Sequence, residues 1–328
     1  ISQYANEGTC IAIGAAAADQ VRVKCETAAT MAFTSSTGAG SGREFGAAIA
    51  AVPEASIVDT RGVMLVGAPG SDTERGSIFR VPVGGGSPIE IGEIANTVGV
   101  VGTGARLGHA ITTASLPDAA TLATNFPTVP TLVVLTPYLA AISAPGQNRV
   151  VLAAVGVDAI DPTDIDAVVL ACLDGTPGFG QVLTAGDVDG DGMPEVYIGI
   201  AEATENHPGV VHVFDLADLT TLEAGCADTP NADDLGLSVI ECPTLDGVDC
   251  AEAAFGSALA LGDVDADGTL DLIVGAPRMT VENKLAAGGI FAVAGSSSGV
   301  DMERVSFVRI SNPGSDDRLG ASIAALRT

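Results

Sequence analysis

Two short segments carry carboxylates at alternate positions just before an apolar run. They read GDVDGDGMPE from Gly186 and GDVDADGTLD from Gly262. Alternate acidic side chains converge only if the backbone curls around a common centre, and a hard divalent cation gives a reason for such a curl. In the shared register the acidic residues are Asp187, Asp189, Asp191 and Glu195 in the first loop, and Asp263, Asp265, Asp267 and Asp271 in the second.

Ca²⁺ is the cation that suits these loops. It takes about six to eight oxygen ligands, and an acidic loop supplies them from carboxylates at alternate positions and from a main-chain carbonyl at the seventh position. Those carbonyls would belong to Met193 and Thr269, and Gly192 and Gly268 at the sixth position would allow the sharp turn. We therefore predict two Ca²⁺ sites.

The loops differ from an EF-hand. That helix-loop-helix site needs a bidentate Glu at the twelfth position, where this chain has Ile198 and Val274 inside apolar runs of β type. Mg²⁺ is a weaker candidate because it tends to keep several waters, whereas a flexible cage of protein oxygens suits the larger ion. The alternative is that both loops are solvated turns without a cation.

Residues that often carry catalysis form no recognisable site. The three histidines, His109, His207 and His212, lie in separate segments without metal-ligand spacing. The chain contains no phosphate-binding loop and no GxGxxG after a predicted strand. We therefore expect a protein that is not an enzyme.

A repeated element must position the acidic loops. In it, Phe or Leu precedes Gly and a run of small residues, and five copies begin at Phe45, Leu107, Phe179, Phe255 and Leu319. Each of the first four is followed by three further apolar runs, the first of which often ends in Gly-Ala-Pro. Four strands in each repeat predict an all-β fold made of propeller blades, and continuous apolar runs suit strands buried on both faces.

The elements FG, DxDxDGxx[DE] and GAP, in this order, resemble the FG-GAP repeats of integrin α-subunit propellers and their prokaryotic relatives. The resemblance covers nearly the whole chain and is strongest over residues 179–277. It implies a calcium-binding β-propeller in which each ion has a structural role on the outer face of a blade hairpin. Matching positions make the ligands Asp187, Asp189, Asp191, Met193, Glu195, Asp263, Asp265, Asp267, Thr269 and Asp271.

The chain also departs from that family. Integrin propellers contain more blades than the five repeats counted here. The repeats that begin at Phe45 and Leu107 lack the acidic loop and carry residues 53–61 and 117–130 in its place. The resemblance supplies no ligand site, so an adhesive function would be carried over by analogy alone.

We expect a single propeller of five blades over residues 1–328, in a ring closed by the C-terminal strand. Residues 319–326 would be the first strand of a blade whose other strands are 10–14, 21–24 and 31–34. The alternatives are a fragment of a longer array, or a terminal strand donated to a neighbouring molecule. The predicted blades are 319–328 with 1–44, 45–106, 107–178, 179–254 and 255–318.

Charge and cysteine content restrict the surroundings of the protein. The net charge of −27 argues against nucleic acid as a partner, and the longest apolar runs are strand-sized, which argues against membrane insertion. The six cysteines have no zinc-ligand spacing, so disulfides are favoured over a metal site or free thiols. Cys10 and Cys25 lie in neighbouring predicted strands, whereas Cys226, Cys242 and Cys250 cluster in one region, and the connectivity stays open. Disulfides favour an extracellular or cell-surface location.

Three functions are consistent with these features. The first is a calcium-stabilised adhesion or interaction module that binds protein or glycan through loops on one face. The second is a structural subunit that self-associates into a surface sheath or filament. The third is a polysaccharide lyase or hydrolase with a site at the mouth of the propeller channel.

Overall fold

The computed structural model describes residues 2–4, 8–25, 31–34, 42–52, 63–83, 87–91, 94, 101–117, 134–158, 165–201, 208–221, 226, 238–245 and 248–325. The protein is all-β, with 53% strand and almost no helix. The chain divides into two compact units, one of residues 1–174 with 217–231 and one of residues 175–216 with 232–328.

The first unit contains three antiparallel sheets, each made of four strands that are neighbours in chain order. Sheet 1 is β1 to β4, sheet 2 is β5 to β8 and sheet 3 is β9 to β12. Their bounds are β1 Ser2–Tyr4, β2 Gly8–Ala15, β3 Gln20–Cys25, β4 Met31–Thr34, β5 Ile49–Ala51, β6 Val63–Ala68, β7 Ser77–Pro82, β8 Ile89–Glu90, β9 Ile111–Ser115, β10 Val134–Ala144, β11 Arg149–Asp158 and β12 Ile165–Asp174.

The second unit contains two more four-stranded antiparallel sheets and one short strand pair. Sheet 4 is β13 to β16, sheet 5 is β18, β19, β21 and β22, and β17 pairs with β20. Their bounds are β13 Val182–Gly186, β14 Glu195–Ile200, β15 Val210–Asp215, β16 Ser238–Glu241, β17 Val248–Asp249, β18 Ala258–Gly262, β19 Asp271–Ala276, β20 Thr280–Val281, β21 Gly289–Ser296 and β22 Gly299–Val308. Four strands for each repeat agree with the sequence prediction.

The helical segments with defined bounds in the described residues are short connections. These are Ser71–Glu74 and the 3₁₀ turns Ala16–Ala18, Pro145–Gln147 and Leu216–Thr221. In the part of the chain that the structure describes, no helix has the length and apolar character needed to cross a membrane.

In sheets 2 and 4 the second strand is the most buried element. Every residue of β6 and of β14 is buried, as expected for an apolar run that packs on both faces. In sheet 1, by contrast, β3 alternates: Val21, Val23 and Cys25 are buried, whereas Arg22 and Lys24 are exposed. Sheet 1 therefore has one face in the core and one face in solvent.

The FG elements form turns and not the first strands themselves. Phe45 and Phe255 precede β5 and β18 by a few residues, and both side chains are fully buried. The ring of Phe45 packs edge-on against Phe79, with centroids 5.3 Å apart, and Phe255 packs in the same way against Phe291 at 5.6 Å. In sheets 2 and 5 the aromatic residue thus anchors the entry to the sheet in its core.

Glycines explain why the FG and GAP elements occur together. The amide of Gly46 donates to the carbonyl of Gly67 in the same sheet at 2.9 Å. A Cβ atom on Gly67 would lie 1.9 Å from the carbonyl oxygen of Gly108, which begins the next sheet. The same close approach joins Gly14 to Gly46, Gly199 to Gly256 and Gly275 to Gly320. Only glycine permits the backbones of successive repeats to approach this closely.

The C-terminal segment differs from the prediction. The place beside β2 that residues 319–326 were expected to fill is taken by β1, and residues 320–325 form no strand. A local hairpin closes a much shorter loop than pairing between the two ends of the chain, so its entropic penalty is smaller. Leu319 instead forms an isolated bridge with Gly288.

Three disulfides join all six cysteines. Cys10 and Cys25 are direct cross-strand partners in β2 and β3, which agrees with their predicted neighbouring strands. Cys242 pairs with Cys250. Cys226 does not join that local cluster but pairs with Cys172 in β12, which ties residues 217–231 to the first unit.

Candidate metal sites

The first acidic loop joins β13 to β14, and its backbone amides orient its carboxylates. Asp187 accepts hydrogen bonds from the amides of Gly190 at 2.8 Å and Gly192 at 3.1 Å. Asp191 accepts one from the amide of Met193 at 2.7 Å. Gly192 has a φ of 91°, and a Cβ atom there would meet open space, so the backbone conformation and not crowding selects glycine.

Carboxylate oxygens converge at the centre of this loop. One oxygen each from Asp187, Asp189 and Glu195 lies within 4.8 Å of the others. Glu195 is only 3% exposed, and its Oε2 atom accepts a hydrogen bond from the Val188 amide at 2.7 Å. Its buried Oε1 atom has no hydrogen-bond partner among the described residues. A buried carboxylate oxygen is costly without a partner, so a cation between these residues would resolve the deficit.

Burial and nearby negative charge disfavour the ionised form of Glu195. Burial raises the pKa of Glu195 to about 7; the Val188 hydrogen bond opposes this rise, and the charges of Asp189 and Asp215 add to it. Burial, together with the same carboxylates, also raises the pKa of Tyr197, whose buried hydroxyl has no hydrogen-bond partner in the described structure. A bound cation would reverse this effect on Glu195 and favour its carboxylate.

Asp215 adds a carboxylate that the sequence did not predict. It ends β15 directly opposite Glu195 in the strand register. One oxygen each from Asp189, Asp191 and Asp215 lies within 4.8 Å of the others. Asp189 therefore belongs to both groups of carboxylates, and the first loop can present five acidic side chains to cations.

The second loop joins β18 to β19 and repeats much of this geometry. Asp263 accepts hydrogen bonds from the amides of Asp267 at 3.1 Å and Gly268 at 3.0 Å. One oxygen each from Asp263, Asp265 and Asp271 lies within 4.8 Å of the others. The shared sequence register thus gives the same three-carboxylate group in both loops.

The buried carboxylate of the second loop has a different environment. Asp271 is 3% exposed, and its Oδ2 atom accepts a hydrogen bond from the Val264 amide at 2.7 Å. Its Oδ1 atom accepts another from the Gly295 amide at 3.0 Å. Both oxygens of Asp271 therefore have a backbone partner, whereas only one oxygen of Glu195 has one.

An arginine lies beside the second loop. Nη2 of Arg304, in β22, lies 2.9 Å from Oδ2 of Asp265 and 3.6 Å from Oδ2 of Asp267. Hydrogen bonds from Thr269, followed by the charge of Arg304, lower the pKa of Asp267. Sequence reasoning missed Arg304 because it lies far along the chain from the loop.

The predicted ligands fall into three groups. The first, third and ninth positions of each loop converge, and Asp191 joins Asp189 and Asp215. Asp267 belongs to none of the three-carboxylate groups formed by the described residues. The amides of Met193 and Thr269 donate to Asp191 and Asp267, and the role of their carbonyls as ligands stays a prediction.

Two features bear on catalysis. His109 is exposed in the turn before β9, His212 is buried with its ring 5.9 Å from that of Phe179, and His207 lies outside the described residues.

The sequence GSSSG at 295–299 fits the GxSxG nucleophile pattern. It forms the hairpin between β21 and β22, where the Ser296 hydroxyl donates to the Gly299 carbonyl at 2.8 Å. A nucleophile elbow needs a strand-to-helix turn instead.

Comparison with known proteins identifies one repeat. Residues 255–289 match the model of the FG-GAP repeat, and this segment contains the complete second acidic loop. Curated proteins give no match to the chain. FG-GAP repeats often bind calcium, and the acidic groups described above could hold a metal.

Proposed function

We propose that this protein is an extracellular interaction module stabilised by calcium, which binds protein or glycan. The observation that carries the proposal is the buried Glu195, which converges with Asp187 and Asp189 and whose Oε1 atom has no hydrogen-bond partner in the described structure. A carboxylate in that position is most stable when a cation completes its coordination. Asp187, Asp189 and Glu195 would hold the ion of the first loop, and Asp191 and Asp215 form a neighbouring group with Asp189.

The ions would act on loop structure and not on a substrate. Each acidic loop connects the first two strands of its sheet, so a cation would join both strand ends and reduce local opening. The second ion would be held by Asp263, Asp265 and Asp271. Calcium would thereby keep the surface loops in the conformation that a partner recognises.

We further propose that the five four-stranded sheets are blades of a propeller. The repeated glycine contacts support this arrangement because they join each sheet to the element that begins the next one, within each unit. Three disulfides and the FG-GAP repeat are typical of extracellular proteins and support that location.

The interaction role is tested by binding in the presence and absence of calcium. The protein would be screened against arrays of glycans and of extracellular proteins in Ca²⁺ and in EGTA. We expect at least one partner that is retained in Ca²⁺ and lost in EGTA. Turnover of a polysaccharide panel would contradict the proposal and identify an enzyme.

Self-association is a second candidate because sheet 1 has an open face. Ile11 and Ile13 are 49% and 63% exposed, and their cross-strand partners are the exposed Lys24 and Arg22. An apolar and cationic face on a chain of net charge −27 is complementary to the acidic surface of another copy. Sedimentation over a range of concentrations would test this role. Ile13→Asp should abolish association, and Val239→Asp, at an exposed position of sheet 4, should leave it unchanged.

A further inference from the structure

The two acidic loops differ in the positive charge around them. The chain has no Lys or Arg between Arg149 and Arg278, so all four strands of sheet 4, which carries the first loop, lack both residue types. In the described structure, no ion pair joins a cationic side chain to Asp187, Asp189, Asp191 or Glu195. Repulsion among these carboxylates is relieved most directly by a bound cation.

The second loop already contains a cation of its own. Arg304 lies within ion-pair distance of both Asp265 and Asp267, and its side chain is 49% exposed. Its guanidinium neutralises part of the charge that would attract Ca²⁺, and it engages Oδ2 of Asp265, which belongs to the three-carboxylate group. A metal ion entering this loop must displace or tolerate that guanidinium.

The buried carboxylates strengthen the contrast. Glu195 has an oxygen that no described residue satisfies, so a cation in the first loop replaces a missing interaction. Both oxygens of Asp271 already accept backbone hydrogen bonds, so a cation in the second loop fills no comparable deficit. The free energy gained on binding is therefore larger in the first loop.

We propose that the two loops bind Ca²⁺ in two unequal steps, with the first loop filled before the second, and that Arg304 weakens binding to the second. The inference rests on the proposed calcium function and deepens it. Calcium would stabilise sheet 4 at low concentration and act on sheet 5 only at higher concentration. The Arg304 guanidinium thus raises the Ca²⁺ concentration at which the second loop fills.

Isothermal titration of the whole chain with Ca²⁺ tests this directly. We expect two steps whose dissociation constants differ by roughly tenfold or more. Arg304→Gln should tighten the weaker step roughly two- to fivefold, in keeping with the strength of an exposed ion pair. Arg309→Gln is the matched control, because Arg309 pairs with Glu282 outside the loop and its replacement makes the same change in net charge.

Terbium luminescence assigns the steps to their loops. Tyr197 lies beside the first-loop carboxylates, the second loop has Ile273 at the equivalent position, and the chain has no Trp. Excitation of tyrosine should therefore sensitise the luminescence of Tb³⁺ bound in the first loop. Tyr197→Phe should remove this luminescence without removing the binding measured by calorimetry. Glu195→Gln should abolish the tight step, whereas Asp316→Asn, at an exposed position, should not.

The possible outcomes separate the inference from the proposed function. Two equal steps, or a tight step that survives Glu195→Gln, would overturn the inference and leave the calcium function in place. An Arg304→Gln variant with the same weak step as Arg309→Gln would overturn the role of Arg304. Absence of any Ca²⁺ binding would overturn the calcium function itself.

Discussion

Gly67 lies against Gly108 so closely that a Cβ atom at Gly67 would be 1.9 Å from the carbonyl oxygen of Gly108. The contact joins the second strand of sheet 2 to the turn that begins sheet 3. It recurs between Gly275 and Gly320 in the second unit. The repeats therefore stack through backbone contact, and side chains fill the space around it.

Gly67→Ala should destabilise the protein by about 3 kcal/mol, because the added methyl group meets backbone that cannot rotate away. Gly102→Ala is the control, since a Cβ atom there lies 3.1 Å from the end of the flexible Gln147 side chain. Equilibrium denaturation in guanidinium measures both variants. Equal stability of the two would contradict the role assigned to the glycine contact.

Removal of calcium should lower the melting temperature of the protein. Ca²⁺ at about 100 times its dissociation constant stabilises a folded state by about 2.7 kcal/mol, because it binds the folded loops and not the unfolded chain. Thermal scans in Ca²⁺, in Mg²⁺ and in EGTA provide the measurement. An identical melting temperature in Ca²⁺ and EGTA would show that the loops are solvated turns.

Glu195→Gln and Asp271→Asn should have opposite effects on the calcium-free protein. A glutamine at 195 removes a buried charge and offers an amide N–H₂ group to the neighbouring carboxylates, so we expect stabilisation by about 1 kcal/mol. An asparagine at 271 keeps only one acceptor oxygen for the two amides that Asp271 binds. We expect a loss of about 1–3 kcal/mol from the amide left unpaired.

Urea denaturation in EGTA measures both substitutions. Destabilisation by Glu195→Gln as large as that by Asp271→Asn would mean that Oε1 of Glu195 has a partner in solution. The two variants share the same change in charge, which makes each the control of the other.

Loss of the Cys172–Cys226 disulfide should destabilise the protein more than loss of Cys242–Cys250. The first closes a loop with a sequence separation of 54 and the second one of 8. Chain entropy predicts losses of about 4 and about 2.5 kcal/mol for the paired alanine substitutions. Denaturation of the two double variants gives the order, and a reversed order would show that the native state, not the unfolded chain, dominates the effect.

Local pattern was sufficient to predict the all-β class and most of the strands. The four strands of each repeat follow from apolar runs separated by turn residues, as in β19, the hairpin of β21 with β22, and β14. The start of each first strand was placed too early, because small residues after Phe45 or Phe255 fit a turn as well as a strand. Residues 53–61 and 118–130, which replace the acidic loop, lie outside the described residues.

The sequence did not predict contacts between residues that lie far apart along the chain. Asp187, Asp189 and Glu195 share one loop, so their spacing predicts their convergence. Asp215 and Arg304 reach the two loops from other strands, and only the strand pairing brings them there. Cys226 likewise appeared to belong with its nearest cysteines, but its partner is Cys172 in another sheet.

The Cys172–Cys226 disulfide also determines how the chain would carry mechanical load. The whole first acidic loop lies between these two cysteines, so a force applied to the chain ends passes through the sulfur bridge and bypasses residues 173–225. The second loop has no such bypass and lies on the path of the force. Stretching would therefore load the second acidic loop directly while the disulfide shields the first, and reduction would release about 180 Å of additional chain length.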